Sequence, residues 1–259
     1  MPRLDLSGSS ALVTGGASGI GEACVRQLAN AGAHVLIADL NEERGNQVAA
    51  ETGGIFAKTD VTSEPDGLAA VAAASEMGPL RSVVNSAGIG WAARTVDRSG
   101  EPFDLGAFQM VVSINLVGTF NIMRLGAAAM ARTEPMNEDG ARGAIVNMAS
   151  VAAFDGQIGQ IAYSASKGGV VGMTLPAARD LSAIGVRVNT IAPGLIDTPI
   201  YGEGPESDTF KETLGESVLF PKRLGTSEEL AFMVMECLTN PYVNGETIRL
   251  DAGVRLPPK

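Results

Sequence analysis

In the run Tyr163-Ser164-Ala165-Ser166-Lys167 a phenol and an ammonium stand four residues apart, which brings them to one face of a helix. A nearby ammonium favours phenolate over phenol. The spacing therefore predicts a Tyr163 pKa lowered from about 10 toward neutrality, and a side chain able to give or take a proton near physiological pH. Ser150 follows an apolar, strand-like run, Ala144–Ala149. Ligands bind at the C-terminal ends of strands in open α/β sheets, so the Ser150 hydroxyl would hold a substrate oxygen beside Tyr163. Tyr and Lys at this spacing also occur on ordinary helices, so the pair needs a second reactant before it means catalysis. His34 is the only histidine and reads as a strand-end residue. A histidine-rich metal site is excluded, a Ser-His-Asp triad is disfavoured, and no metal is expected.

The run Thr14-Gly15-Gly16-Ala17-Ser18-Gly19-Ile20-Gly21 points to the second reactant. It follows a strand-like run, Ser10–Val13, and opens a helix-like one, Glu22–Ala31. Gly15 lets the chain turn, while Gly19 and Gly21 admit a pyrophosphate and the next helix close to the backbone. Free N–H groups and the positive end of the helix then face the anion. A second strand-like run, His34–Ala38, ends in Asp39, twenty residues beyond Gly19, where a ribose hydroxyl needs an acceptor. Asp39 would repel a 2′-phosphate, and Ser18 and Leu40 stand where a basic residue would hold one. NAD is therefore expected rather than NADP. Without a ligand the same residues would make a plain strand-to-helix turn, with Asp39 a solvated turn residue or the N-cap of a helix starting near Glu42.

Strand-like runs at Ser10–Thr14, His34–Asp39, Gly54–Lys58, Arg81–Asn85, Ala144–Ala149, Val186–Ala192 and Thr247–Leu250 alternate with helix-like runs. The helix-like runs are Gly21–Ala31, Asn41–Glu51, Glu64–Glu76, Leu105–Ala131, Ala162–Ser182 and Ser227–Leu238. Several strands are nearly all apolar, as helices on both sheet faces require. The expected architecture is α/β: one Rossmann-type domain over residues 1–259, a doubly wound parallel sheet of about seven strands with helices on both faces. Two segments break the alternation. Arg132–Arg142 is polar and reads as a surface loop. Pro193–Lys222 has several Gly and Pro residues and few periodic apolar positions. It reads as irregular: a mobile substrate cover at 194–222, or a disordered surface loop.

The chain of 259 residues carries a net charge of −10 with no run of Lys or Arg, so no nucleic-acid partner and no anionic membrane surface are expected. Cys24 and Cys237 are far apart in apolar, helix-like segments, which fits small core residues in a reducing compartment. Met1–Gly8 is short and polar, unlike a secretory signal. Phe108–Met130 and Met173–Leu181 are apolar but interrupted by polar residues, so no membrane span is expected. A cytoplasmic location follows from these readings.

Taken with Asp60-Val61, Asn85-Ser86-Ala87-Gly88, Asn115 and Pro193-Gly194, these motifs make the chain resemble the short-chain dehydrogenase/reductase family over almost its whole length. The resemblance implies a catalytic tetrad of Asn115, Ser150, Tyr163 and Lys167, with Asn115 holding a water relay. It implies cofactor contacts at Gly15, Ser18, Gly19, Ile20, Gly21, Asp39, Leu40, Asp60, Val61, Ala87, Gly88, Tyr163, Lys167, Pro193, Gly194 and Thr198. Ser86 departs from the second Asn that many members carry. The runs Asn147–Gln157, Tyr163–Pro176 and Phe220–Gly225, with the polar insertion at Thr133–Arg142, also resemble the short-chain type 2 3-hydroxyacyl-CoA dehydrogenases.

That narrower resemblance implies NAD-linked interconversion of a 3-hydroxyacyl-CoA and a 3-oxoacyl-CoA, with Gln157 and Gln160 near the substrate. The run Tyr201–Asp208 departs from that group. The alternatives are a 3-oxoacyl thioester reductase, a hydroxysteroid or alcohol dehydrogenase, and a non-catalytic dinucleotide sensor. The stretch from Phe108 to Leu125 is apolar all round, with Val112 and Leu116 on its expected outer face. Such a helix needs cover on two sides, and the family resemblance implies that a neighbouring subunit supplies one of them, in a homotetramer of D₂ symmetry.

Overall fold

Successive residues of a strand point to opposite faces of a sheet, and here both faces are apolar. Leu12, Leu36, Val83, Ile145 and Val188 pack into one core; Val13, Ile37, Val84, Val146 and Ile191 pack into the other. These residues lie on β1 (Ser10–Thr14), β2 (His34–Asp39), β4 (Leu80–Asn85), β5 (Gly143–Met148) and β6 (Val186–Pro193). With β3 (Ile55–Lys58) and β7 (Thr247–Leu250) they form, among the described residues, a seven-stranded sheet. The order is β3-β2-β1-β4-β5-β6-β7 and every pairing is parallel. These details come from a computed structural model that describes residues 3–199, 202 and 204–258, with only the backbone of Pro205 and Glu206.

Helices cover both faces. On one lie α1 (Gly19–Asn30), α2 (Glu42–Thr52) and α8 (Ser227–Thr239). On the other lie α3 (Glu64–Glu76), α5 (Thr119–Met130) and α6 (Ile161–Ser182). Local chemistry starts most of them. Asn41, Ser63 and Thr226 each accept an N–H of the following first turn, and Thr226 and Glu229 make a reciprocal capping box. Strands are added one way from β1 to β3 and the other way from β4 to β7, so a crevice opens at the C-terminal ends of β1 and β4, where the order reverses.

Four expectations change. The expected single helix Leu105–Ala131 is α4 (Leu105–Val112), a π-helical turn at Ser113–Gly118, and α5. Within it Leu116 faces inward: a Cβ on Gly169 of α6 would lie 2.7 Å from its Cδ2. The exposed large apolar residues of this stretch are Leu105, Met110, Val117 and Phe120. The stretch Leu105–Met130 also holds an 18-residue window of mean hydropathy 1.4 and is long and apolar enough to cross a membrane by length and composition. Its polar interruptions do not lower that average enough. In the fold it packs against β4, α3 and α6. Finally, the stretch read as irregular contains α7 (Pro205–Glu216), started by a proline in its first turn, where the missing N–H costs nothing.

Candidate active site

Around the glycine loop the wall of the crevice is main chain. Gly15 has φ +63°, and a Cβ there would lie 2.8 Å from the Ala87 nitrogen. A Cβ on Gly21 would overlap the Gly15 carbonyl, and one on Gly88 would lie 3.0 Å from Asn115 Oδ1 and 3.4 Å from Lys167 Nζ. The loop is tied from two sides. Thr14 Oγ1 accepts the Ser86 and Ala87 N–H groups at 3.2 Å each, and Ala17 N–H donates to Asp39 Oδ2 at 3.1 Å. Asp39 also accepts from Asn41 N–H at 2.9 Å; Asn41, not Asp39, is the N-cap of α2. Ser18 stands at the N-cap of α1 but makes no side-chain capping bond, unlike the caps of α2, α3 and α8. The first-turn N–H groups of α1, beside Ile20, are thereby left to an anion.

The other expected cofactor residues stand at or beyond the C-terminal ends of the strands. Thr198 reaches the glycine turn, where a Cβ on Gly19 would lie 3.4 Å from its Cγ2. Pro193 ends β6, and Gly194 follows with its N–H donated to the Leu250 carbonyl at 2.9 Å. Leu40 is exposed. Asp60 and Val61 follow β3, two strands from β1. Asp60 Oδ1 accepts both the N–H and the hydroxyl of Thr62, and the Val61 carbonyl accepts from Asn121.

The expected tetrad converges at the ends of β4 and β5. Ser150 follows β5 and starts a short 3₁₀ turn, its Oγ accepting Ala152 N–H at 3.1 Å. The Tyr163 hydroxyl hydrogen-bonds with Ser150. Lys167 is buried one turn further along α6, with Nζ 5.8 Å from the centre of the Tyr163 ring. Nζ donates to the Met148 carbonyl at 2.8 Å. Asn115 lies in the π-helical turn. Its amide donates to the Ile89 carbonyl and to Ser166 Oγ, and its Oδ1 accepts Ile89 N–H at 2.8 Å. The Asn115 side chain therefore braces α6 against the segment that follows Gly88.

The protonation of the pair differs from the expectation. Burial raises the Tyr163 pKa, and its hydrogen bond with Ser150 only partly offsets this. Burial lowers Lys167 to about 8. Spacing alone counts the attraction between ammonium and phenolate; it omits the loss of hydration that disfavours both charges. Elsewhere burial pushes the Cys24 thiol up to about 12 and Cys237 to about 11, which leaves them inert.

Gln157 and Gln160 sit on the loop before α6. Gln160 Oε1 accepts Gln157 N–H at 2.9 Å, and Gln157 Nε2 donates to the Pro257 carbonyl at 3.1 Å. Ile158 N–H donates to the Pro258 carbonyl at 3.0 Å, so the end of the described chain forms part of this wall. Arg249 bridges Asp155 and Asp251 at 2.5 and 2.7 Å and holds Asp155 below the usual carboxylate range. Sequence reasoning missed the tethers from Gln157 to Pro257, Ile158 to Pro258 and Arg249 to Asp155, because each joins residues about a hundred positions apart. It also missed the hydroxyl of Thr14 as the link between the two banks of the crevice. The threonine directly before Gly15 was the available signal. Tyr201 and Glu203, in the run expected to depart from relatives, lie outside the described residues, as does Ile200 of the expected cover.

Comparison with known proteins matches almost the whole chain to relatives of one family. The family described as short chain dehydrogenase matches residues 9–208. A 3-hydroxyacyl-CoA dehydrogenase type-2 from Drosophila melanogaster is 51% identical over 251 residues, covering 95% of this chain and 97% of that protein. The protein of the same name from Homo sapiens is 48% identical over 257 residues, covering 98% and 97%. A crystal structure of 3-hydroxyacyl-CoA dehydrogenase type-2 from Mycobacterium avium superposes with a TM-score of 0.92 at 49% identity, covering 97% of this chain and 98% of that one.

Proposed function

The chain belongs to the short chain dehydrogenase family, and we propose that within it the protein oxidises 3-hydroxyacyl-CoA thioesters to 3-oxoacyl-CoA with NAD, reversibly. The family generally uses a nicotinamide dinucleotide. One observation carries the reading: a half-buried Tyr163–Ser150 hydroxyl pair with buried Lys167 behind it, beside a loop whose Gly15 and Gly21 leave no room for a Cβ. The names of the relatives supply the thioester. When bound, the cofactor supplies the hydride acceptor and, oxidised, a positive charge. Tyr163 takes the hydroxyl proton of the substrate in oxidation and returns it in reduction. Ser150 hydrogen-bonds the same substrate oxygen and steadies its developing charge. Lys167 sets the local potential at the phenol, and Asn115 keeps the segment after Gly88 in place. In the free chain the raised Tyr163 pKa keeps the phenol protonated, poised to act as an acid, so oxidation draws on the added positive charge of Lys167 and the oxidised cofactor.

Asp39 supports NAD over NADP, since both its oxygens face main-chain N–H groups of the crevice and exposed Leu40 follows it. Residues 194–222, with α7, form the substrate cover. The exposed Met110, Val117 and Phe120, with Ile161 and Leu175 of α6, support assembly as a homotetramer. Two buried free cysteines fit a reducing, cytoplasmic setting.

The test is turnover of 3-hydroxyacyl-CoA esters of several chain lengths, followed by nicotinamide absorbance. Oxidation should proceed with NAD at a kcat/KM at least about tenfold above that with NADP, a difference of about 1.4 kcal/mol. Asp39→Ala should narrow that gap. Oxidation of plain secondary alcohols or steroids with no activity on any CoA ester would overturn the substrate reading; equal use of both cofactors would overturn the cofactor reading.

A further inference from the structure

A cleft of about 470 Å³ runs between residues 94–96 and 156–161. Its wall begins at Ser164, the helical neighbour of Tyr163. The Ser164 hydroxyl is shielded from solvent and has no hydrogen-bond partner. Gly156 lies against it, and a Cβ there would overlap Ser164 Oγ, so the floor of the cleft admits nothing larger. Among the described residues Arg94 is the only ionisable group lining the cleft, in a chain of net charge −10. Other arginines are engaged by the chain itself. Arg81 and Arg187 donate to main-chain carbonyls, and Arg249 pairs with Asp155 and Asp251.

Arg94 stands on ordered backbone. Ala93 N–H donates to the Gly159 carbonyl at 2.9 Å, which clamps this segment against the loop before α6. Beyond it Val96 bridges Pro102, Phe103 N–H donates to the Thr95 carbonyl, and Asp97 N–H to the Glu101 carbonyl, making a small hairpin. The neighbouring carboxylate, Asp97, is turned into that hairpin: Oδ1 accepts Ser99 N–H, Ser99 hydroxyl and Glu101 N–H. It competes little for an anion at Arg94.

A 3-hydroxyacyl-CoA has its reacting carbon at one end and phosphates at the other, joined by an arm that carries amides. We infer that this cleft takes the carrier arm and that the Arg94 guanidinium pairs with a phosphate of the carrier. The inference rests on the proposed thioester chemistry of the adjoining site. Gln157 and Gln160 offer polar partners to the amides, and Val96 and Ile158 offer apolar wall to the methylenes. A guanidinium grips a phosphate through paired N–H donors, which an amide of similar size cannot do.

The experiment compares two thioesters of one 3-hydroxyacyl group, the CoA ester and the phosphate-free N-acetylcysteamine ester, at about 0.15 M salt, where exposed charges beyond about 8 Å are screened. The readout is the ratio of their KM values for the unaltered protein and for Arg94→Gln, Arg94→Lys and Arg98→Gln. Arg94→Gln should raise the CoA ester KM about tenfold relative to the N-acetylcysteamine ester. Arg94→Lys should recover part of the loss, and Arg98→Gln, on the same hairpin but outside the cleft, should leave the ratio as it was. An unchanged ratio in Arg94→Gln, or an equal rise for both esters, overturns the inference while the proposed function stands. If the unaltered protein oxidises neither ester, the proposed function itself fails and the inference falls with it.

Discussion

Around residues 14–21 the site is walled by main chain; around residues 150–161 it is walled by side chains. The first wall admits almost no variation at Gly15 and Gly21, because the Ala87 nitrogen and the Gly15 carbonyl occupy the space that a Cβ would need. The second depends on partners brought from afar: Asn115 from the π-helical turn, Arg249 from β7 and the carbonyls of Pro257 and Pro258. The contrast separates two jobs. Holding a dinucleotide needs a fixed row of N–H donors at close approach. Moving a proton needs a titratable group whose surroundings can be tuned.

The contrast can be broken or sharpened by substitution. Tyr163→Phe keeps the ring and removes the hydroxyl that faces Ser150. It is expected to lower kcat about a hundredfold or more while calorimetry finds cofactor affinity nearly unchanged. Near-normal turnover would remove Tyr163 from the chemistry. Gly21→Ala acts on the other wall, where the added methyl meets the Gly15 carbonyl and lies 3.1 Å from the Gly16 Cα. Forced repacking of this kind costs about 1–3 kcal/mol, so cofactor affinity should fall by up to about a hundredfold. Gly172→Ala, on α6 with nothing within 4 Å, is the control and should fold at least as stably. If Gly21→Ala binds as well as the unaltered chain, the crevice is not rigid main chain.

A third effect, on stability rather than on activity, concerns Lys167, whose folded-state pKa of about 8 lies below the ordinary 10.5. Between those values the unfolded chain binds more protons than the folded one, so stability rises with pH. Below pH 8 the buried ammonium is a standing cost of about 3 kcal/mol. Relative to Lys167→Met, the unaltered chain should gain thermal stability from pH 8 to pH 10. A gap in Tm that stays flat over that window would show that Lys167 is not desolvated.

The two walls were unequally legible in the sequence. A main-chain site leaves its mark in local spacing, so Gly15, Gly19, Gly21 and Asp39 could be placed before any coordinates. Tyr163 and Lys167 were legible because four residues on one helix fix their relation, and Ser150 because it follows an apolar strand. Their protonation was not legible, since burial is a property of the assembled fold. The Asp155–Arg249 pair and the tether from Gln157 to Pro257 carry no local signal at all. The strands were readable as apolar runs, whereas α7 was hidden because its turn-forming residues obscure a short helical period. The π-helical turn was hidden because a widened turn changes hydrogen bonding rather than composition.

The strand order also carries a consequence for how the molecule comes together. β1 is the first strand in the chain, yet it lies inside the sheet, flanked by β2 and β4. The two banks of the crevice, residues 14–21 and 85–88, meet only when β4 returns past β2 and β3 to dock on β1. Such non-local parallel pairing is slow compared with local helix formation. During refolding, dinucleotide binding should therefore be a late signal, a clock for the moment when β4 docks.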